Sequence, residues 1–218
     1  MHFCLRVDLD YVPWDSYDAA DFGHGEPAIL LRMLELARQK GLKYHFFASE
    51  RVMRSFPASL EAILADSHHL DWLCKKPEEF TERFLMAKEL AGSHGHTIQG
   101  VAIRDEIPPD FDALIESGLE FVTSTTKGPT LEGLTHFPVE TGSLREGIRG
   151  GQTLKAWSES VRLHLRAASS LRKNVIVVVR PQVLGKYDPD LKVVQDIVQF
   201  ATAMDFKNRT LRETFSEV

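Results

Sequence analysis

Short apolar runs alternate with longer amphipathic ones along the whole chain. The apolar runs at 3–8, 43–48, 68–74, 120–124, 135–140 and 174–180, and a further one within 93–103, read as strands. The run at 174–180 is nearly continuous valine and isoleucine, the pattern of a parallel strand buried on both faces. Between the strands, helices are predicted over 28–40, 57–66, 77–90, 109–117, 154–171 and 190–204. In the first of these Ile29, Leu30, Met33, Leu34 and Ala37 share one face, and Gly41 follows as a stop. In the third, Pro77 opens the helix, Glu78 and Glu79 occupy its first turn and Gly92 follows its end. The looser stretches 15–26, 127–133 and 145–152 are loop-sized. No repeat, low-complexity run or linker divides the chain, so one domain spanning 1–218 is expected.

Strands that alternate with helices imply parallel βαβ units. The expected fold is α/β, a single (β/α)7-type distorted barrel, with a doubly wound sheet as the open alternative. A Gly-rich phosphate loop is missing after the first strand, which argues against a dinucleotide fold. In either architecture the site belongs at the carboxyl ends of the strands.

Composition narrows the function classes. The 218 residues carry 26 Lys and Arg against 31 Asp and Glu, a net charge of −5. Such a chain has no global field to attract nucleic acid, and no nucleic-acid module is visible. The longest fully apolar run, Val175 to Val179, is too short to cross a bilayer. The first residues reach Asp8 without a basic stretch and do not read as a signal peptide. Cys4 and Cys74 lie in apolar strand-like segments and read as reduced thiols, so a cytoplasmic location is expected.

Chemistry-bearing residues gather near the predicted strand ends. Asp8 and Asp10 are two apart, so an extended segment points both to one side. Such a pair can hold a divalent cation or divide into a base and a ligand. His45 lies inside the second strand and reads as a packed core histidine. His69 and Asp71 share a face of the third strand. His94 and His96 share a face of the predicted fourth, in the polar run 94–100 that includes Gln99. Arg104, Asp105 and Glu106 read as a solvated ion-paired loop. Glu140 ends the sixth strand and Arg180 the seventh. An arginine after so apolar a run needs an anionic partner or open solvent, so Arg180 can clamp a carboxylate or phosphate of a ligand, or pair with Asp8 or Asp10. Arg162, Arg166, Arg172 and Lys173 read as a solvated basic helix face. Tyr11, Trp14, Trp72 and Trp157 can stack on sugar rings or pack in the core.

The order of these segments resembles the NodB-homology polysaccharide deacetylases, carbohydrate esterase family 4, over essentially the whole chain. Val7-Asp8-Leu9-Asp10 resembles the family's first motif, and Leu42 to Phe47 its second strand. The run from His68 to Cys74, followed by Pro77 to Phe80, is similar to the histidine-bearing second motif. Gly95-His96-Thr97 is similar to the third, and Val175 to Val179 with Arg180-Pro181 to the last. Within the family the chain looks like the WbmS-type branch associated with bacterial O-antigen loci. The resemblance implies Asp8 as catalytic base and Asp10 as metal ligand. It also marks departures: Leu73 and Pro77 stand where the family has two metal histidines, and Arg180 where it has a histidine acid. A reading frame shifted by a residue or two puts Asp71 or Cys74 there instead. Arginine stays protonated and cannot serve as that acid.

Shared strand-end positions make Asp10, His69, Asp71 and His96 the set from which a divalent site, zinc first, can be rebuilt. Asp8 and Arg180 are then the catalytic candidates, and His94, Gln99 and Glu140 the candidate substrate contacts. Two functions are expected from this: a metal-dependent carbohydrate deacetylase acting on N-acylated sugars of cell-surface polysaccharide, or a saccharide-binding pseudoenzyme that has lost the metal.

Overall fold

A computed structural model describes residues 1–10, 26–103, 111–125 and 132–215, apart from the side chains of Phe111 and Phe215. In chain order the elements are β1 (His2–Leu9), α1 (Glu26–Lys40), β2 (Tyr44–Ala48), α2 (Glu50–Ser55), α3 (Pro57–Ala65), β3 (His69–Cys74) and α4 (Phe80–Ser93). They continue with β4 (Gly100–Ile103), α5 (Phe111–Glu116), β5 (Phe121–Ser124), β6 (Thr135–Pro138), α6 (Leu144–Arg149) and α7 (Leu154–Ser170). The last are β7 (Val175–Val179), α8 (Pro181–Tyr187), α9 (Lys192–Ala203), β8 (Lys207–Asn208) and α10 (Leu211–Phe215). The strand order is β6-β5-β4-β3-β2-β1-β7, with β8 beside β1. The pairs β1–β7, β2–β3, β3–β4, β4–β5 and β5–β6 are all parallel, as the alternating pattern predicts.

The chain divides into two compact units. The first contains Met1–Val7, Tyr11–Tyr44 and Thr141–Val218. There Phe3 pairs with Val175 and each following residue of β1 with the next of β7, up to Val7 with Val179, and every residue of β7 is buried. Helix α7 buries Trp157, Val161, Leu165 and Ala168, one stripe at helical spacing. Its arginines are not simply solvated. The guanidinium carbons of Arg162 and Arg166 lie 5.7 and 5.3 Å from the centre of the Phe200 ring on α9, a cation–π contact that spends their charge on packing.

The second unit contains Asp8–Asp10 and His45–Glu140. Alternation along its parallel strands sends His45, Phe47, Asp71, Phe121 and Phe137 to a common side. The rings of His45 and Phe47 stack at 4.5 Å, and Phe121 meets His45 edge-on at 5.6 Å and Phe137 at 5.8 Å. Gly100 is the register partner of Phe121. A Cβ at position 100 would lie 2.1 Å from the Phe121 ring, so only glycine leaves room for it. On the opposite side Trp72 packs against Phe80 and Phe84 of α4, at 5.2 and 5.7 Å.

Three departures from the predicted elements bear on function. The polar run 94–99 is not strand: β4 starts at Gly100, and 94–99 is the connection that follows α4. An additional short helix, α2, occupies the space between β2 and the predicted helix at 57–66. The stretch 145–152, read as a loop, begins inside α6. There Ser143 and Glu146 form a reciprocal capping box, a signal masked by Gly147, Gly150 and Gly151.

Replacing Gly100 with alanine is expected to lower stability by about 2 kcal/mol, or about 4–8 °C in melting temperature for a chain of this size. A second change, Phe121→Leu, should restore part of the loss. An unchanged melting temperature for G100A would show that the ring has room to retreat.

Candidate functional site

Parallel strands give a sheet two unlike edges, because every strand-to-helix connection leaves the carboxyl edge and every helix-to-strand connection arrives at the amino edge. The second unit's chemistry divides along that line.

At the carboxyl edge lie Asp8 and Asp10, 3% and 4% exposed at the end of β1. The Ser49 amide, one residue beyond β2, donates to the Leu9 carbonyl at 3.0 Å and ties the two strand ends together. Lys75 follows β3 directly, and its Nζ lies 2.8 Å from Asp10 Oδ1. The approach is that of an ion pair rather than an aligned hydrogen bond. Glu50 Oε1 accepts from Trp72 Nε1–H at 3.1 Å. Lys76 and Arg83 both close on Glu79, at 2.7 and 2.6 Å. Their hydrogen bonds, that of Lys76 first, hold the Glu79 carboxyl below the usual carboxylate range. The hydrogen bond to Glu79 raises the pKa of Arg83.

Halfway along β3, Asp71 is fully buried. One carboxylate oxygen accepts the Gln99 and Gly100 amides at 2.8 and 3.0 Å, and the other faces His45 Nε2 at 2.9 Å. A carboxylate only accepts, so the pairing places the proton on Nε2 of His45. This is a structural assembly: donors from β2 and from the start of β4 converge on one charge in β3. His45 is the packed core histidine expected of it.

At the amino edge lie three of the candidate histidines. His69 is the first residue of β3 and half-buried. His94 caps the end of α4. The His96 ring donates from Nε2 to the Leu70 carbonyl. Gln99, besides its amide bond to Asp71, reaches Glu120 Oε1 at 3.2 Å.

The metal set drawn from the sequence is therefore not brought together. Strand β3 rises about 3.3 Å per residue, so its two ends are separated by roughly 17 Å. Asp10 belongs to one end, His69 and His96 to the other, and Asp71 is spent between them. Among the described residues no group of three or more His, Cys, Asp and Glu side chains is placed to hold a metal ion. Cys74 is buried at the end of β3, and burial pushes its thiol up to about 12. Among the described residues the donor chemistry at Asp10 does not fit a divalent ion: an ammonium lies against the carboxylate that such an ion would need. Because β4 starts at Gly100, His94, His96 and Gln99 lie before the strand, at the amino edge, rather than along it.

Of the other candidates, Glu140 is exposed beyond β6. Arg180 is 5% exposed and precedes Pro181, the first residue of α8. Trp72 and Trp157 are 0% and 2% exposed, packed in the core rather than offered to a ligand. Tyr11, Trp14 and the loop 104–106 lie outside the described residues. Lys75 is the residue that the sequence reading passed over. Its signal was available: a lysine directly after an apolar strand, in a fold whose first strand ends in a buried acid pair.

No family model and no curated protein sequence matches the chain. Solved structures do. A structure assigned as a polysaccharide deacetylase from Mycobacterium smegmatis is similar with a TM-score of 0.75 and 13% identity, covering 99% of this chain and 90% of that one. The Puue allantoinase is similar at 0.73 and 14%, covering 98% and 89%. A carbohydrate esterase family 4 pseudoenzyme from Bacillus anthracis is similar at 0.63 and 12%, covering 97% and 65%. The chain has the NodB-type (β/α)7 fold that these proteins share, as the order of its motifs implies. Identities this low carry the fold and leave the chemistry to the residues.

Asp71→Ala is expected to cost about 3–5 kcal/mol of folding stability, the usual penalty for removing one partner from a buried charged assembly. Denaturant unfolding measures it. A D71A protein as stable as the parent would contradict the structural role given to this carboxylate.

Proposed function

We propose that this chain binds N-acylated saccharide of the cell-surface polysaccharide class, with O-antigen units as the first candidates, and does so without metal-assisted hydrolysis. One observation carries the reading: Lys75 places a tethered ammonium on Asp10, the residue that the resemblance marks as a metal ligand. An ammonium neutralises a carboxylate much as a metal does, but it has no open coordination position and cannot activate water as a bound divalent ion does. The histidine acid of the family is Arg180 here, and arginine does not release a proton. The family 4 pseudoenzyme of the same fold is in keeping with a scaffold that persists without the ancestral activity.

Asp8 keeps the position of a base, so sugar deacetylation by another route is the competing function. Cys4 and Cys74 are both free and buried, in keeping with a reducing cytoplasm. Among the described residues no helix is long and apolar enough to cross a membrane.

Saturation-transfer NMR with N-acetylglucosamine oligomers, run beside an acetate-release assay with and without added zinc, tests the proposal. Saccharide signals without acetate release are expected. Acetate released by the parent chain and lost in Asp8→Asn would replace binding with catalysis.

A further inference from the structure

The carboxyl edge of β2 and β3 opens into a cleft of about 320 Å³ between α2 and α4. Its lining concentrates positive charge in a chain whose net charge is −5: Arg51, Arg54, Lys75, Lys76 and Arg83 face it, against Glu50 alone among acids. Lys75 is paired with Asp10, and Glu79 holds Lys76 and Arg83. With those partners counted, the cations still outnumber the acids.

The surplus resides in two arginines. Neither Arg51 nor Arg54 is held by a carboxylate among the described residues. Arg54 spends a guanidinium N–H on the thioether of Met86, at 3.1 Å. Sulfur is a weak acceptor, and the exposed guanidinium keeps its other N–H groups available to solvent or to a ligand. A third group adds to it. Ser49 is 1% exposed and lines the same cleft, and its Oγ has no hydrogen-bond partner among the described residues. Buried hydroxyls are ordinarily paired, and an orphan in a cleft lined by two guanidiniums that no carboxylate holds among the described residues points to a missing ligand.

An acceptor that answers several cationic donors and a hydroxyl together is a phosphate. It carries up to two charges on three free oxygens, and arginine forks match its geometry. A carboxylate offers one charge and two oxygens. The cleft volume falls at the lower end of the range for small-ligand pockets, enough for a phosphate with part of a sugar ring. Its position at the strand carboxyl ends is where α/β folds bind ligands.

We infer that this cleft is an anion subsite for the phosphate of a phosphorylated sugar, either a monoester or a nucleotide-linked diphosphate. The sugar part rests on the saccharide-binding reading; the phosphate part stands on the cleft alone. Lys75 links the two, since it lines the cleft while it neutralises Asp10.

Isothermal calorimetry on the full chain tests this with inorganic phosphate, N-acetylglucosamine, its 1-phosphate, its uridine diphosphate conjugate and glucuronic acid. The phosphorylated sugars should bind at least tenfold more tightly than the neutral sugar, and more weakly as salt rises. Whichever of the two binds better identifies the phosphate source. The double variant R51A/R54A should lose that advantage and keep its affinity for the neutral sugar. Both side chains are exposed, and R51A alone serves if the double variant does not fold. An undiminished phosphate advantage in these variants, or glucuronic acid binding as tightly as the 1-phosphate, overturns the assignment. Arginine-dependent binding of inorganic phosphate with no affinity for any sugar would sustain the anion subsite and overturn the saccharide reading.

Discussion

A carboxylate sealed from water has to be met by donors, and in the second unit that requirement is satisfied at Asp71. Its two oxygens take a histidine from β2 and two successive backbone amides from the entry to β4. Much else follows from this arrangement. It sets which side chains of β2 and β3 share a face, because a slip of one residue would turn the charge to the other side of the sheet. It brings the 99–100 backbone close against β3, at the position where only glycine admits the Phe121 ring. Around it the aromatic rings of Phe47, Phe121 and Phe137 complete a dry interior in which the His–Asp pair is shielded from solvent.

With Asp71 committed to the interior, the chemistry at the carboxyl edge has to come from other residues. Asp10 is met there by Lys75, a monovalent cation attached to the chain by a four-carbon stem. Such a cation stabilises a buried acid without the entropy of capturing an ion from solution. It is also a compact donor with no coordination position at which a water could be activated. The same lysine borders a cleft in which four further cations gather. An acid-lined metal site and a basic cleft are opposite electrostatic solutions for one strand edge, and the residues present favour the second.

The parallel α/β architecture was legible because its signals are local and redundant. The valine run of β7, the apolar stripes of α1 and α7, and the proline and glycine boundaries each point to one element type. The site was less legible, for a geometric reason. Alternation tells which side of a strand a residue faces but not which end of the strand it occupies, and His94, His96 and Gln99 became amino-edge residues once β4 proved to start at Gly100. Asp71 lies on a strand beside a histidine as expected, and the histidine that its carboxylate meets at 2.9 Å is His45, twenty-six residues earlier. Lys75 and the α2 arginines carried no motif. Their role emerges from convergence of the ends of β2 and β3, which no spacing along the chain encodes.

The claim on which the account turns is that a lysine has taken the place of a divalent ion at Asp10. Elemental analysis after incubation with excess zinc and desalting, on the parent chain and on Asp10→Ala, tests it most directly. The account predicts metal far below one ion per chain in both proteins. About one zinc per parent chain, lost in D10A, would contradict it and return the site to metal-dependent hydrolysis.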